Sequence, residues 1–259
     1  ASALRKGYAT ATTDSGGGGR DRGGAFLYGQ PEKQRDYSGR AWHETVTRAK
    51  TLIASYYGKG PTQSHWEACG GGARGGLQAA AQYPGDFDAI AVGAANYTTR
   101  LVFAQMGTWQ AAQASPGSGI PQTKLPMLHK AAVDKCDAND GAVDGVIQDP
   151  SRCQFDPGVL QCKSADGADC LTTEQVATAR AVYTGVTDVR NGRRLGGGLY
   201  PGSELGWSGA SGQPSSMAVD FFKYVVFKNP TWDPRTRPVN FDSDITLTEA
   251  PEIKALDIS

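Results

Sequence analysis

The chain has 259 residues with 26 basic and 26 acidic side chains, so its formal charge is zero and no basic field invites nucleic acid. No apolar run approaches the ~20 residues that a membrane-spanning helix needs, which sets a membrane role aside. The 34 glycines gather in local runs such as Gly16 to Gly19, Gly70 to Gly72 and Gly196 to Gly198, without a collagen-like period.

The opening residues, ASALRKGYAT, form neither a charged-then-apolar leader nor an initiator sequence, and read as the edge of a processed or longer chain. GYATATTDSG (7–16) is Thr-rich and alternating, which predicts a strand entering a glycine turn. Residues 37–58 carry Ala41, Val46, Ala49, Leu52, Ile53 and Tyr56 near helical spacing, with Gly58 as the stop. TQSHWEAC predicts a second strand, RGGLQAAAQYP (74–84) a short helix ended by Pro84, and the apolar run FDAIAVGAAN (87–96) a buried parallel strand. This alternation predicts an α/β sheet.

After about Asn96 the rhythm stops. Residues 97–235 hold amphipathic pieces such as KLPMLHKAAVDKC and TTEQVATARAVYTGV, separated by polar, Cys-bearing, Gly-rich loops. They predict an inserted cap or lid. Residues 236–259 return towards the core and stop before any new strand. Of the five cysteines, Cys136, Cys153, Cys162 and Cys170 share one loop-rich region without the paired CxxC spacing of a zinc site. Two disulfides and an oxidising, secreted or periplasmic setting follow. Cys69 is left as a free thiol or half of a bond to a cysteine outside the chain.

The centre of interest is HWEACGGGARGGL, residues 65–77, a strand that turns into a helix through three glycines. Gly70-x-Gly72-x-x-Gly75 formally fits a dinucleotide fingerprint. That fingerprint wants an acidic residue near the end of the following strand, and VGAANY has none; Asp86 and Asp88 precede the strand. The other reading is a nucleophile elbow, in which small residues flank a strained serine above the sheet. Ala68 to Gly72 fill its five positions, and Gly70 stands where the nucleophile belongs.

Here the chain resembles the tannase and feruloyl esterase family, which includes hydrolases of mono(2-hydroxyethyl) terephthalate. The family's C-S-x-G-G-R-x-G elbow faces Cys69-Gly70-Gly71-Gly72-Ala73-Arg74-Gly75-Gly76, and GYATATTDSG resembles GYAxxxTDxGH with Gly17 in place of the His. RAWHETVTRAKTLIASYYG, QYPGDFDAIAVGAAN, KCDANDGAVDGVIQDPSRCQFDP, LQCKSADGADCLT, LYPGSELGWSG and FDSD extend the likeness in order along nearly the whole chain.

The resemblance implies an α/β-hydrolase core, incomplete over residues 1–96 and 236–259, with a mostly helical, loop-rich lid over 97–235. It implies acyl transfer by Ser, His and Asp on small aromatic esters (feruloyl, galloyl or terephthalate monoesters). Gly70 takes the nucleophile position, and the N–H groups of Gly71 and Gly16 form the oxyanion hole. The triad Asp and His are expected beyond Ser259, in a C-terminal remainder or second chain; His43, His65 and His129 do not match them. Cys69 is expected to bond a cysteine there, while Cys136 with Cys153 and Cys162 with Cys170 match two lid disulfides.

The loop Asp137 to Val146 carries three carboxylates but is no EF-hand, since Gln148 stands where the bidentate Glu would be. From spacing alone it is an Asp-rich turn. The resemblance makes it a structural calcium site through Asp137, Asp140 and Asp144 with the carbonyls of Ala142 and Val146. Arg74, on the first helical turn, is a substrate-side cation or a structural, helix-surface residue. Three readings are carried forward: an esterase whose position 70 is Ser in its active form, an inactive binding protein on the same frame, and a nucleotide-binding protein.

Overall fold

The computed structural model describes residues 2–17, 24–95, 98–207 and 212–256. The chain divides into two compact units, Ala1–Thr98 with Asp220–Trp232 and Ile245–Ser259, and Thr99–Val219 with Asp233–Asp244.

The first unit is built on a strand–helix–strand crossover. Helix α1 (Ala41–Tyr57) follows a wide turn at Asp36–Arg40, where Gly39 at φ 142° passes so close to Gln82 that a Cβ would lie 2.5 Å from its Oε1. Gly58 ends α1 in the left-handed conformation that glycine adopts freely. Strand β1 (His65–Cys69) leads into α2 (Gly71–Gln82), and β2 (Ala89–Gly93) runs parallel to β1 in register His65↔Ala89 to Cys69↔Gly93. Side chains alternate along a strand, so Trp66 and Ala68 turn inward while His65, Glu67 and Cys69 are exposed. Trp42, Trp66 and Phe87 pack edge to face behind the sheet, with ring centroids 5.1 and 5.4 Å apart. Helix α2 lies so tightly on this layer that a Cβ at Gly76 would sit 2.6 Å from Trp66 Nε1.

Three sequence expectations shift here. Residues 7–16 form no strand; a strand exists by pairing, and among the described residues β1 pairs with β2 alone. Helix α2 begins at Gly71 instead of Arg74, because Gly70 at φ 60° turns the chain from strand to helix in one residue. It stops at Gln82, two residues before Pro84. The strand expected over 87–96 is observed at Ala89–Gly93, and Asn96 lies outside the described residues. Farther on, Phe221, Phe222, Val225 and Val226 are buried, and the short helix Pro251–Lys254 carries the buried Ile253. Residues 257–259 of the expected return segment lie outside the described residues.

The regular structure of the second unit is mainly α3 (Thr98–Ala111), α4 (Leu125–Cys136) and α5 (Thr173–Thr184), with a hairpin of β3 (Gly185–Thr187) and β4 (Arg194–Gly197) and long loops between them. Its core joins Ile120, Leu125, Leu128, Leu171, Val176, Ala179, Val182 and Trp207. Thr172 caps α5: its Oγ1 accepts the Gln175 N–H, and Gln175 Oε1 accepts the Thr172 N–H. Both disulfides are formed, Cys136–Cys153 and Cys162–Cys170.

Candidate active site

The elbow is a property of the backbone. Gly70 stands at φ 60°, ψ −122°, between a parallel strand and a 12-residue helix. Its N–H donates to Gly93 O at 3.1 Å, and its carbonyl accepts the Arg74 N–H at 3.2 Å, closing the first helical bond. The N–H groups of Gly71 and Gly72 therefore fall at first-turn positions without an intrahelical acceptor, at the positive end of the helix dipole. A Cβ at Gly70 or Gly71 would meet nothing within 4 Å. A Cβ at Gly72 would lie 2.8 Å from Ala68 Cβ, and one at Gly75 2.8 Å from the Trp42 ring. These glycines are spent on close packing, the demand that a nucleophile elbow makes. Asp86 and Asp88, which precede β2, are engaged locally: Asp86 Oδ2 lies 2.9 Å from His43 Nδ1, and Asp88 accepts the Ser64 N–H.

The second element of the expected oxyanion hole is the turn around Gly16. Ser15 (φ 54°, buried) and Gly16 (φ 86°) both adopt left-handed backbone conformations. The Gly16 N–H donates to Asp14 Oδ1 at 3.0 Å and the Gly17 N–H to Asp14 O at 3.0 Å. In this state the Gly16 amide is engaged by Asp14, whereas the Gly71 amide lies at the helix start.

Cys69 is a free and exposed thiol, because it occupies the outward position of the β1 alternation. Arg74 is neither a surface residue nor open to substrate; it is 2 % exposed. Its Nη1 donates to Gln78 Oε1 (2.9 Å) and Leu256 O (3.1 Å), and its guanidinium lies 4.1 Å from the Tyr37 ring centroid. Gln78 Nε2 donates to Ala255 O at 3.3 Å. Arg74 thus fastens the elbow helix to the end of the chain, a role spacing cannot reveal. The histidines have separate surroundings. His43 stacks on Tyr83 at 4.2 Å, and His65 Nε2 lies 3.3 Å from Gln63 Oε1.

In the second unit, His129 Nδ1 lies 3.0 Å from Oε2 of the fully buried Glu204. Glu204 Oε1 also accepts from Tyr183 Oη at 2.7 Å, and both carboxylate oxygens accept the Gly202 N–H. Burial, and then the Glu204 carboxylate, raise the Tyr183 phenol well above its usual range. Nothing in the stretch LYPGSELGWSG marks Glu204 as a fully buried carboxylate.

The acidic loop makes tight turns. Asp137 accepts N–H groups of Asp144 and Gly145, Asp140 Oδ1 accepts that of Ala142 (2.8 Å), and Asp144 Oδ1 that of Val146 (3.0 Å). Its carboxylates and carbonyls are the hard oxygen donors that Ca²⁺ takes, and Oδ2 of Asp140 and Asp144 receives none of these N–H groups. Among the described residues no three acidic, His or Cys side chains are gathered closely enough to hold an ion together. The donor types fit the ion.

With this geometry in place, the likeness to known proteins is informative. The profile of the family described as tannase and feruloyl esterase matches residues 1–252. An uncharacterised esterase of Xanthomonas campestris pv. campestris is 35% identical over 95% of this chain and 45% of its own length. A probable feruloyl esterase B-1 of Aspergillus oryzae is 32% identical over 96% of this chain and 47% of its own. The crystal structure of feruloyl esterase B from Aspergillus oryzae superposes with a TM-score of 0.79, at 28% identity, over 91% of this chain and 48% of that one. The fold is thus of the α/β-hydrolase type found in feruloyl esterases. The chain spans about half the length of the curated relatives it matches.

Proposed function

Since the chain belongs to the tannase and feruloyl esterase family, we propose that it is the elbow-bearing part of a carboxylic ester hydrolase. Its substrates are small aromatic acid esters of the feruloyl, galloyl or terephthalate monoester kind, cleaved by Ser–His–Asp acyl transfer. The observation that carries this reading is Gly70: an elbow conformation at positive φ, with open space where a serine side chain would stand. A serine Oγ there attacks the ester carbonyl, and the Gly71 N–H stabilises the oxyanion. The Gly16 N–H joins it once released from Asp14.

In this reading the hydrolase core is incomplete in the present chain. The triad Asp and His, and a cysteine for Cys69, belong to the other half of the protein. Residues 97–235 act as the lid and 236–259 as the return to the core. Asp137, Asp140, Asp144 and the carbonyls of Ala142 and Val146 hold a structural Ca²⁺ that stiffens the acidic loop. Two disulfides in a loop-rich region support a secreted or periplasmic setting. The second reading, a binding protein without turnover, is favoured by the glycine that the sequence has at position 70.

The deciding experiment is peptide mapping of the natural protein across residues 60–80, with turnover of methyl ferulate, methyl gallate and a terephthalate monoester by the longer protein carrying Ser or Gly at position 70. Turnover with Ser alone supports the esterase. No turnover with either, alongside measurable ester binding, supports the binding protein. Calcium is tested separately, by titration calorimetry of metal-stripped protein; absence of binding heat removes the ion from the account.

A further inference from the structure

We propose that Asn191 is a site of spontaneous deamidation, and that the aspartate or isoaspartate formed there is a one-way charge switch in the turn between β3 and β4. Of the five asparagines in the chain, Asn191 alone precedes a glycine. Gly192, at φ 72°, has no side chain to hinder its nitrogen. The Asn191 side chain is already polarised for attack, since its Oδ1 accepts the Arg193 N–H at 2.9 Å. Arg190, Arg193 and Arg194 surround the turn with positive charge, which lowers the cost of a negatively charged Gly192 nitrogen. Arg190 foremost, and then Arg193, hold the Asp188 carboxyl down at about 2.

The turn is also free to open. Val189 is 70% exposed, and residues 191–194 are exposed as well. The Gly192 N–H donates to Asp188 O at 2.8 Å, so attack waits for that bond to break, and the rate of reaction reports the opening. The chemistry needs only water. The Gly192 nitrogen forms a bond to Asn191 Cγ, the Cγ–Nδ2 bond breaks, and nitrogen leaves as ammonia with the amide proton. Water then opens the cyclic imide at either carbonyl, giving aspartate or isoaspartate.

The product cannot restore the native contact. Asn191 Nδ2 donates to Asp188 Oδ2 at 3.2 Å, and Asp188 is fully buried and ionised at neutral pH. Deamidation replaces that donor with a second carboxylate. The hairpin rests closely on α3, where Gly107 and the backbone of Ala104 leave no room for further atoms against Val186 and Gly196.

The first test is peptide mapping by mass spectrometry during incubation in mildly alkaline buffer. The NH₂-to-OH mass gain is expected at Asn191 before Asn139, Asn229 or Asn240. An intact Asn191 when another asparagine has converted, or when none has, overturns the site. The second compares amide hydrogen exchange in Asn191→Asp with the parent protein. Exchange at Asp188 and Gly192 is expected to be about tenfold faster near neutral pH, from like charges in contact. That ratio should fall to parity at about pH 3, where a new aspartate is protonated while Asp188 is not. No acceleration at neutral pH, or acceleration that persists in acid, overturns the charge switch.

Discussion

At Gly70 and Gly76 two glycines do opposite work. Gly76 is there because a side chain has nowhere to go between Trp66 and Val92; Gly70 is there although a side chain has room. Gly76→Ala should cost about 2 kcal/mol by overpacking. Gly70→Ala should cost about 1–3 kcal/mol, all of it the strain of this backbone conformation on a residue with a Cβ. Enlarging Ala to Ser should add to the cost at position 76 and not at position 70; urea denaturation measures both increments, and equal increments would remove the packing argument. Arg74→Met should cost about 3 kcal/mol, since it strands the buried Gln78 Oε1 and the Leu256 carbonyl. Hydrogen exchange should show the loss concentrated in residues 251–256; a loss spread evenly over the chain would count against the fastening role. The elbow was readable from sequence because close approach demands small residues at fixed offsets from Gly70. Arg74's burial was not, because it depends on Tyr37 and Leu256, far away in the chain. The Gly16 amide was assigned from resemblance, and its bond to Asp14 is a local turn that a motif does not display.

The helices were the most legible elements. Gly58 stops α1 and apolar spacing marks its length, while the amphipathic run TTEQVATARAVYTGV marks α5, whose start the Thr172–Gln175 reciprocal cap fixes in the structure. The strand expected over 7–16 failed for the converse reason: alternation is necessary for a strand, but the ladder partner must come from elsewhere. Disulfide removal can be ranked at this scale. Cys136–Cys153 has a sequence separation of 17 and Cys162–Cys170 one of 8. Loop-closure entropy then gives about 3 and about 2.5 kcal/mol respectively. Paired Cys→Ser variants followed by thermal denaturation test the order. The hairpin turn has a pH limit with a definite sign. The folded Asp188 pKa lies below its unfolded value, so its contribution is full above about pH 4 and is lost as pH falls towards about 2. Exchange at Gly192 followed through that window should accelerate on acidification beyond its intrinsic trend. A flat ratio from neutrality to pH about 2 would contradict it.

For the whole molecule, balanced charge and an isoelectric point near 7.0 place the solubility minimum at neutrality. Light scattering should fall on either side of it, and a minimum displaced by more than about one pH unit would mean that charges in the folded chain titrate far from their ordinary values. Cys69 offers a more pointed test of how much protein is present. One exposed thiol per chain should react with a disulfide reagent without denaturant. In a longer protein that includes the other half of the family fold, the same thiol should be silent until reduction. Reactivity in both would end the proposed bond to a cysteine outside this chain.

The conformation at residue 70 has a consequence for how such a protein changes over time. Strand β1, the glycines packed beneath Trp42 and Trp66, and the Gly70 to Gly93 hydrogen bond hold the turn without help from any side chain at its tip. Glycine and serine codons of the GGC and AGC kind differ by a single base. On the proposed esterase reading, loss or recovery of a nucleophile at this turn is one mutational step, and exchanging turnover for binding needs no rebuilding of the backbone around it.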